Sequence, residues 1–298
     1  MSPSANTATA DVRSIGEIIK DTRNLTADQV EQILAHQRDH GVRFGEAAIA
    51  LGYATNDDVL LALSEQFSYP YASEERRRLS PELVALNEPF GQKAEAIRAM
   101  RSQILQRIQV DGQADLRQRR AIAVVSASPG DGKTYLCANL AVTFAQLGKR
   151  TLVVDCDLRG PRMHEVFAVD NDHGLSGLLT RRRPGQPGKA GIGAIKKVDG
   201  VPNLFVLPVG IQPPNPLELI EGTWFDGLLA ELTNRFDQVI VDTPASSYGA
   251  DAPVIASRCG LAVVVARKNV ARMLEVQELV QVLANASAKT AGVVMNEF

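Results

Sequence analysis

The sequence predicts an α/β fold in which a mostly parallel, doubly wound sheet carries helices on both faces, preceded by a small all-α domain. Two observations lead to this prediction. From residue 121 onward, short runs of apolar and β-branched residues alternate with stretches of helical periodicity, as in parallel sheets covered by helices. Before residue 72, apolar residues recur at helical spacing and the sequence repeats itself. The length of 298 residues suits about two domains.

The composition is that of an ordinary globular protein, with 45% hydrophobic and 22% charged residues. With 32 basic and 34 acidic residues the net charge is −2, so we expect no nucleic-acid partner. The three cysteines, Cys137, Cys156 and Cys259, lack the paired spacing of a zinc site or a disulfide framework and indicate a reducing compartment. Since the sequence shows no apolar run of the roughly 18 residues that a bilayer requires and no signal peptide, we expect a cytoplasmic protein. A partner protein would attach it peripherally to the inner membrane.

The first predicted domain, residues 1–72, is a doubled helical unit. Shifting the sequence by 29 positions places residues 15–17 (Ile-Gly-Glu) on residues 44–46 (Phe-Gly-Glu), and further matches follow. Each copy has the pattern of a short helix, a turn and a second, amphipathic helix. The polar stretch that follows predicts a linker over residues 73–90, and residues 91–298 form the second predicted domain.

The second domain opens with a predicted helix over residues 91–110, and six strands follow. Their near-continuous apolar character predicts a sheet that is buried on both faces. The strands are predicted at Ala121–Val125, Arg150–Asp155, Leu204–Pro208, Gln238–Asp242, Leu261–Ala266 and Gly292–Met295.

A glycine-bearing loop follows the first strand and opens a helix, which is the context of the phosphate-binding loop in P-loop NTPases. Gly130 and Gly132 allow backbone N–H groups to turn toward an anion, and the helix N-terminus adds a positive dipole. Lys133 brings a charge to the terminal phosphates and Thr134 offers a hydroxyl to Mg²⁺. Ala127 replaces the first glycine of the general motif. The predicted nucleotide contacts here are Ser128, Pro129, Gly130, Asp131, Gly132, Lys133, Thr134 and Tyr135.

Acidic residues end two of the predicted strands. Asp155 and Asp157 follow the alternation of a strand, which puts both carboxylates on one side at the carboxyl end of the sheet, where ligands bind. Two such carboxylates repel unless a cation or a substrate hydroxyl lies between them. The alternative is a helix-capping aspartate beside a solvated one. Asp242 ends a neighbouring strand, and with Thr134 and Asp157 it completes a predicted nucleotide and Mg²⁺ site.

Four segments together resemble the bacterial tyrosine kinases of exopolysaccharide synthesis. They are residues 126–134, 154–162, 214–219 and 241–244, and the Asp-x-Asp-x-Arg pattern of the second is specific. These kinases are similar to the MinD/ParA-type P-loop ATPases, and the resemblance covers about Glu95 to Phe298.

The resemblance implies ATP and Mg²⁺ as cofactors, bound by Lys133 and Thr134. It implies that Asp155 positions or deprotonates the acceptor hydroxyl, and that Asp157 and Asp242 support the metal, with Lys133, Asp155 and Asp157 as the catalytic set. Asn296 resembles the strand-end asparagine of the family near the adenine, while a plain turn residue is the alternative.

The resemblance also suggests how the protein associates. Glu95, Arg98 and Arg101 resemble the Glu-x-x-Arg-x-x-Arg self-association motif of the family, which implies a homo-oligomer; a solvated ion pair within one helix is the alternative. A membrane polysaccharide co-polymerase, the chain-length determinant, would be the activating partner. Relatives that phosphorylate themselves usually have a tyrosine-rich tail, whereas the last tyrosine here is Tyr248, so the sequence identifies no acceptor tyrosine.

The doubled helical unit resembles the N-terminal domain of type II secretion and pilus ATPases. Some of these bind cyclic di-GMP through two copies of an arginine- and glycine-containing pattern. The second copy fits this pattern from Arg43 to Gln66, but the first has Ser14 at the arginine position and Arg23 at a glycine position. Cyclic di-GMP binding and a plain protein-docking module are therefore both open.

Two functions compete for the second domain. The first is a P-loop protein-tyrosine kinase that transfers the γ-phosphoryl group of ATP to tyrosine. The second is a MinD/ParA-like ATPase switch or scaffold that docks on the co-polymerase without tyrosine transfer. Labelled phosphate that reaches tyrosine would support the first, and phosphate released only to water would support the second.

Overall fold

The computed structural model describes residues 13–66, 79–112, 121–180 and 193–297 of the chain. The chain divides into two compact units, Met1–Glu75 and Arg76–Phe298. Among the described residues, no helix combines the length and the apolar character that crossing a membrane requires.

Within the described residues, the first unit consists of four helices arranged as two copies of a helix–turn–helix. They are α1 (Ile15–Arg23), α2 (Ala27–His40), α3 (Phe44–Ala50) and α4 (Asn56–Gln66). The side chains of Ser14 and Thr26 cap α1 and α2 by accepting a hydrogen bond from the backbone three residues later. Gly45 lets α3 approach α4 closely, because an added Cβ would lie 2.9 Å from a methyl group of Val59. The predicted helical repeat is confirmed.

The second unit contains a seven-stranded sheet with the strand order β3-β4-β2-β5-β1-β6-β7. Every neighbouring pair is parallel except β3 and β4, which are antiparallel. The strands are β1 (Ala121–Ser126), β2 (Thr151–Asp155), β3 (Lys196–Lys197), β4 (Leu204–Leu207), β5 (Gln238–Asp242), β6 (Gly260–Arg267) and β7 (Lys289–Asn296). All six predicted strands are present, and β7 begins three residues before its predicted start at Gly292. The two-residue strand β3 was not predicted, because two lysines carry no strand pattern.

Helices cover both faces of this sheet. They are α5 (Val84–Asn87), α6 (Gln92–Gly112), α7 (Lys133–Gln146), α8 (Met163–Val166), α9 (Leu175–Thr180), α10 (Pro216–Glu221), α11 (Thr223–Arg235), α12 (Asp251–Cys259) and α13 (Met273–Asn285). Alternate residues of β1 point to opposite faces. Ala123 and Val125 join the core that α11, α12 and α13 complete, whereas α7 packs on the face of the buried Ile122 and Val124. The doubly wound α/β fold is confirmed.

The register of the central strands fixes which acidic residues meet. Asp155 on β2 lies directly opposite Asp242 on β5. The next strand, β1, pairs with β5 through Val124 and Asp242, and the phosphate loop leaves β1 two residues further on. The ends of three adjacent parallel strands therefore bring the loop and two carboxylates to one edge.

The predicted linker at 73–90 extends too far along the chain. Residues 73–78 lie outside the described residues, but residues 79–90 pack on the second unit, with Leu83 and Leu86 fully buried. Asn139 on α7 holds this segment: its side chain accepts a hydrogen bond from the Ala85 amide at 2.9 Å and donates to the Glu82 carbonyl at 2.8 Å. The polar composition predicted a solvated linker, but the backbone of this segment is bound by the buried Asn139 side chain.

We expect Asn139→Leu to destabilise the second unit by about 2–4 kcal/mol, because it leaves the Ala85 N–H group and the Glu82 carbonyl without their partner. The Gln146→Leu variant should cost less, since Gln146 makes a single hydrogen bond to the Ala85 carbonyl. Denaturant unfolding gives the free energies, and amide hydrogen exchange should show faster exchange in residues 79–90 of the Asn139 variant. Equal losses in the two variants would contradict this account.

Candidate nucleotide-binding site

The loop between β1 and α7 has the backbone conformation that an anion cradle needs. Gly130 and Gly132 adopt φ angles of +80° and +99°, which residues with a Cβ rarely adopt. The buried Asp131 accepts a hydrogen bond from the Ser128 amide at 3.1 Å and so holds the loop closed on itself. Helix α7 begins at Lys133, and the first N–H groups of a helix have no partner within it. These groups can therefore bind a phosphate.

Lys133 is held in this cradle. Its side chain is only 6% exposed, and Nζ donates a hydrogen bond to Oγ of Ser126 at 3.0 Å. Ser126 in turn donates to the Ser128 carbonyl at 2.7 Å, which ties the end of β1 to the loop. A buried ammonium group needs an anion close by. Ser126 was not predicted as a site residue, although it directly precedes the loop.

Asp242 is fixed by two side chains of α7. Thr134 Oγ1 donates to Asp242 Oδ2 at 2.6 Å, and the Cys137 thiol donates to Asp242 Oδ1 at 3.7 Å. Burial raises the pKa of the Cys137 thiol well above its usual value, so the sulfur keeps the proton that it donates. Cys137 was missed because a lone cysteine in an apolar helix face carries no motif.

Asp155 is also fully buried, and the backbone holds it. Its Oδ1 accepts a hydrogen bond from the Asp157 amide at 3.1 Å, and its Oδ2 accepts one from the Met163 amide at 3.0 Å. Burial, and then the charge of Asp242, raise the pKa of Asp155 well above its usual value. Burial raises the pKa of Asp242 to about 6. The pair of carboxylates is thus unfavourable as two anions without a compensating cation.

Asp157 lies beside this pair but shapes its own turn. Its Oδ1 accepts hydrogen bonds from the amides of Arg159 and Gly160, at 3.2 and 2.9 Å. The Arg159 guanidinium donates to both oxygens of the buried Asp251, at 3.2 and 3.0 Å, and so ties this turn to the start of α12. The Asp-x-Asp-x-Arg segment therefore connects the end of β2 to the start of α12.

The residues present fit a nucleotide phosphate with Mg²⁺. A hydroxyl and carboxylate oxygens are the donors that Mg²⁺ prefers, and it usually keeps water and phosphate oxygens as its other ligands. Within the described residues, no three His, Cys, Asp or Glu side chains are grouped so that they could hold a metal ion by themselves. Such an ion would therefore depend on Thr134, on Asp242 and on the phosphates of the ligand.

Asn296 and Tyr135 both lie at the loop. Asn296 ends β7, and its side chain donates a hydrogen bond to the Asp131 carbonyl at 3.0 Å, so β7 contacts the cradle directly. Tyr135 lies in the first turn of α7, where burial and then the charges of Glu88 and Glu82 raise the pKa of its phenol. The structure thus brings Asn296 to the loop at Asp131.

The predicted self-association residues lie away from this site, on α6. Arg98 forms an ion pair with Glu95 at 2.6 Å and also donates to the Pro89 carbonyl. Arg101 donates to the Thr143 carbonyl on α7 at 2.6 Å. Glu95 remains exposed, and the structure shows the ion pair within one helix that was the alternative reading of this motif.

In the helical unit, the two copies of the proposed ligand pattern differ. Arg43 is exposed at the start of α3. Arg23, at the glycine position of the first copy, forms an ion pair with Asp58 at 2.6 Å and contacts the Thr55 hydroxyl. This arginine therefore connects the two copies.

Comparison with known proteins agrees with the geometry of the site. The model of the CobQ/CobB/MinD/ParA nucleotide binding domain matches residues 122–298. Tyrosine-protein kinase YwqD of Bacillus subtilis is 32% identical over 219 residues, which are 74% of this chain and 87% of that protein. The chain belongs to the bacterial tyrosine kinases.

Other tyrosine kinases extend this comparison. The kinase domain of the Escherichia coli tyrosine kinase ETK superposes with a TM-score of 0.64 and is 29% identical, over 74% of this chain and 82% of that one. Tyrosine-protein kinase wzc of Salmonella typhimurium is 32% identical over 222 residues, which are 74% of this chain but only 29% of that protein. The chain thus spans less than a third of wzc, and its helical unit lies outside the match to the family model.

The raised pKa of Asp242 predicts how the stability of the ligand-free protein depends on pH. The folded state holds the proton up to about pH 6, whereas an unfolded aspartate releases it near 3.8. Stability is therefore fully present below about pH 4 and falls as the pH rises through about 6, by about 3 kcal/mol for this shift. Asp155 acts in the same direction.

The Asp242→Asn variant has no proton to lose at this position, so its stability should fall less between pH 4 and pH 7. Thermal unfolding across this range, without nucleotide or divalent cation, measures the effect. The Asp199→Asn variant neutralises an exposed carboxylate of the same unit and should behave as the wild type. An unchanged pH dependence in Asp242→Asn would show that burial does not raise the pKa of this carboxyl.

Proposed function

We propose that the chain is an ATP-dependent protein-tyrosine kinase of the autokinase type, which regulates the polymerisation, export and chain length of an exopolysaccharide. The observation that carries this proposal is the cradle around Lys133 next to the buried pair of Asp155 and Asp242. Membership of the tyrosine kinases supports tyrosine as the acceptor. A phosphate site alone would not distinguish a kinase from an ATPase.

The loop would bind ATP through its backbone. The amides of residues 130–134 enclose the phosphates, and Lys133 adds a charge to the terminal ones. Thr134 and Asp242 would hold Mg²⁺, with Asp157 supporting it, and Mg²⁺ would neutralise charge on the transferred group. Asn296, whose side chain contacts the Asp131 carbonyl of the loop, would lie near the adenine.

Asp155 would act on the acceptor. Two backbone amides fix the orientation of its carboxylate, which leaves one further lone pair on each oxygen for the tyrosine hydroxyl. Its raised pKa makes it a stronger base than an exposed aspartate, which suits a group that takes a proton near neutral pH. The residue thus positions the hydroxyl and accepts its proton.

The family model also includes MinD and ParA, so a nucleotide-dependent switch or scaffold without tyrosine transfer is the competing function. Both functions use the same cradle and the same cation. They differ in the acceptor of the phosphoryl group. In a kinase Asp155 acts on a protein hydroxyl, whereas in a switch or scaffold it acts only on water.

We further propose a membrane polysaccharide co-polymerase as the activating partner and a homo-oligomer as the working form, at the cytoplasmic face of the inner membrane. The exposed Glu95 on α6 is available to another copy of the chain. For the helical unit we propose protein docking, because Arg23 is engaged in an internal ion pair and Arg43 alone retains the pattern for cyclic di-GMP.

Two substitutions separate nucleotide binding from phosphoryl transfer. Lys133→Met should weaken ATP binding about 10- to 100-fold, since a charge-assisted contact to phosphate is lost. Asp155→Asn should lower transfer to tyrosine about 10²- to 10⁴-fold and change ATP affinity only a few-fold. Calorimetric titration gives the affinities, and labelled ATP with mass spectrometry gives phosphotyrosine on the protein and on added tyrosine peptides.

The Lys149→Met variant removes an exposed lysine just after α7 and serves as the matched control, with wild-type binding expected. If the wild-type protein releases phosphate only to water and transfers none to itself or to any peptide, the kinase proposal is overturned and the switch is favoured. Unchanged ATP affinity in Lys133→Met would overturn the site itself.

A further inference from the structure

A groove runs between α12 and α13 and ends at the phosphate loop. Its volume is about 710 Å³. At one end the Ser247 amide donates to the Ala127 carbonyl at 3.1 Å, and Ser128 Oγ lies 3.5 Å from Glu275 Oε2. The groove therefore opens beside the first residues of the cradle, on the face of the sheet opposite α7.

The side chains of α13 that line the groove follow one stripe of the helix, from Glu275 to Val282, and Ala286 lies directly after the helix. The eleven steps from Glu275 to Ala286, at about 1.5 Å each, give a length of about 16 Å. An extended chain advances about 3.3 Å per residue, so about five residues of an extended segment would fill this length.

The groove has acidic and apolar parts. Glu275 and Glu278 lie at the end near the loop, and Arg272 lies 3.5 Å from Glu275. No ion pair joins Glu278 to any residue that the structure describes, and its side chain is exposed. Further along, the groove is lined by Val254, Leu279 and Val282, and Val282 is 45% exposed.

We propose that this groove binds the protein segment that carries the acceptor tyrosine, and that it selects a basic residue next to that tyrosine. This inference rests on the proposed kinase function. The tyrosine would lie at the loop end, a lysine or arginine of the segment would pair with Glu278, and an apolar side chain about two residues from it would contact Val282. The charge of Glu278, which a basic residue would complement, and the position of the groove against the loop support this occupant.

The reaction at the end of the groove is a simple transfer. The tyrosine oxygen forms a bond to the γ-phosphorus of ATP while the bond from that phosphorus to the β–γ bridging oxygen breaks. Asp155 lies on the α7 face of the sheet, so the tyrosine side chain would have to reach over the carboxyl edge of the sheet from the end of the groove. The phenolic proton then goes to Asp155 and on to solvent, and the products are phosphotyrosine and ADP. No oxidant or further reactant is required.

The test is phosphorylation of a peptide library by the full chain with ATP and Mg²⁺. The peptides carry one tyrosine, with lysine, glutamate or glutamine at the neighbouring positions. We expect the wild type to prefer lysine-containing peptides about two- to fivefold in kcat/KM, which is the upper part of the range for one exposed ion pair. Glu278→Gln should remove the preference, and Glu278→Lys should shift it toward glutamate.

The Gln277→Lys variant is the matched control. It changes the charge by the same amount as Glu278→Gln, one residue away, on an exposed side chain that does not line the groove. It should keep the wild-type preference. The KM for ATP should not differ among these variants, since none of them contacts the cradle.

The outcomes separate the two proposals. If peptides are phosphorylated without a basic preference, or if the preference is insensitive to both Glu278 variants, the groove is not the acceptor site although the kinase function stands. If Gln277→Lys removes the preference as strongly as Glu278→Gln, general electrostatics explains it and the groove is again excluded. If no tyrosine is phosphorylated by the wild type, the kinase function itself fails.

Discussion

Two carboxyl groups are buried side by side on adjacent parallel strands, and the charge that they would carry is the constraint on which this molecule depends. Asp155 and Asp242 lie opposite each other in the register of β2 and β5. Neither reaches solvent, and burial raises the pKa of both. Such an arrangement is costly for a fold that needs only stability. It becomes favourable when a cation and a phosphorylated ligand lie at the same edge of the sheet.

Helix α7 connects this constraint to the rest of the second unit. Its first turn supplies Lys133 to the cradle and Thr134 to Asp242, and its second turn supplies the Cys137 thiol to the same carboxylate. Two residues further on, Asn139 binds the backbone of Glu82 and Ala85, in the segment of residues 79–90. The helix that would hold the phosphates thus also holds the segment that precedes α6. A displacement of α7 would therefore move both the phosphate loop and this segment.

The sequence predicted the parts of the fold that depend on local patterns. Buried parallel strands are near-continuous apolar runs, and the loop from Gly130 to Thr134 has a chemistry that few other structures need, so both were identified. The order of the strands and the pairing of Asp155 with Asp242 depend on contacts between distant segments, and no local pattern encodes them. The same holds for Ser126, Cys137 and Asn139, whose roles arise only after folding brings a partner to them. The predicted linker was too long because polarity alone does not show that a buried amide binds the backbone.

A crystal structure of the protein with Mg²⁺ and a non-hydrolysable ATP analogue tests the central claim most directly. The phosphates should lie within hydrogen-bond distance of the amides of residues 130–134, with Mg²⁺ about 2.1 Å from Thr134 Oγ1 and with Asp242 in its first or second ligand shell. Asp155 should face the terminal phosphate. A nucleotide bound elsewhere, or a cation that leaves the two buried carboxylates uncompensated, would contradict the account.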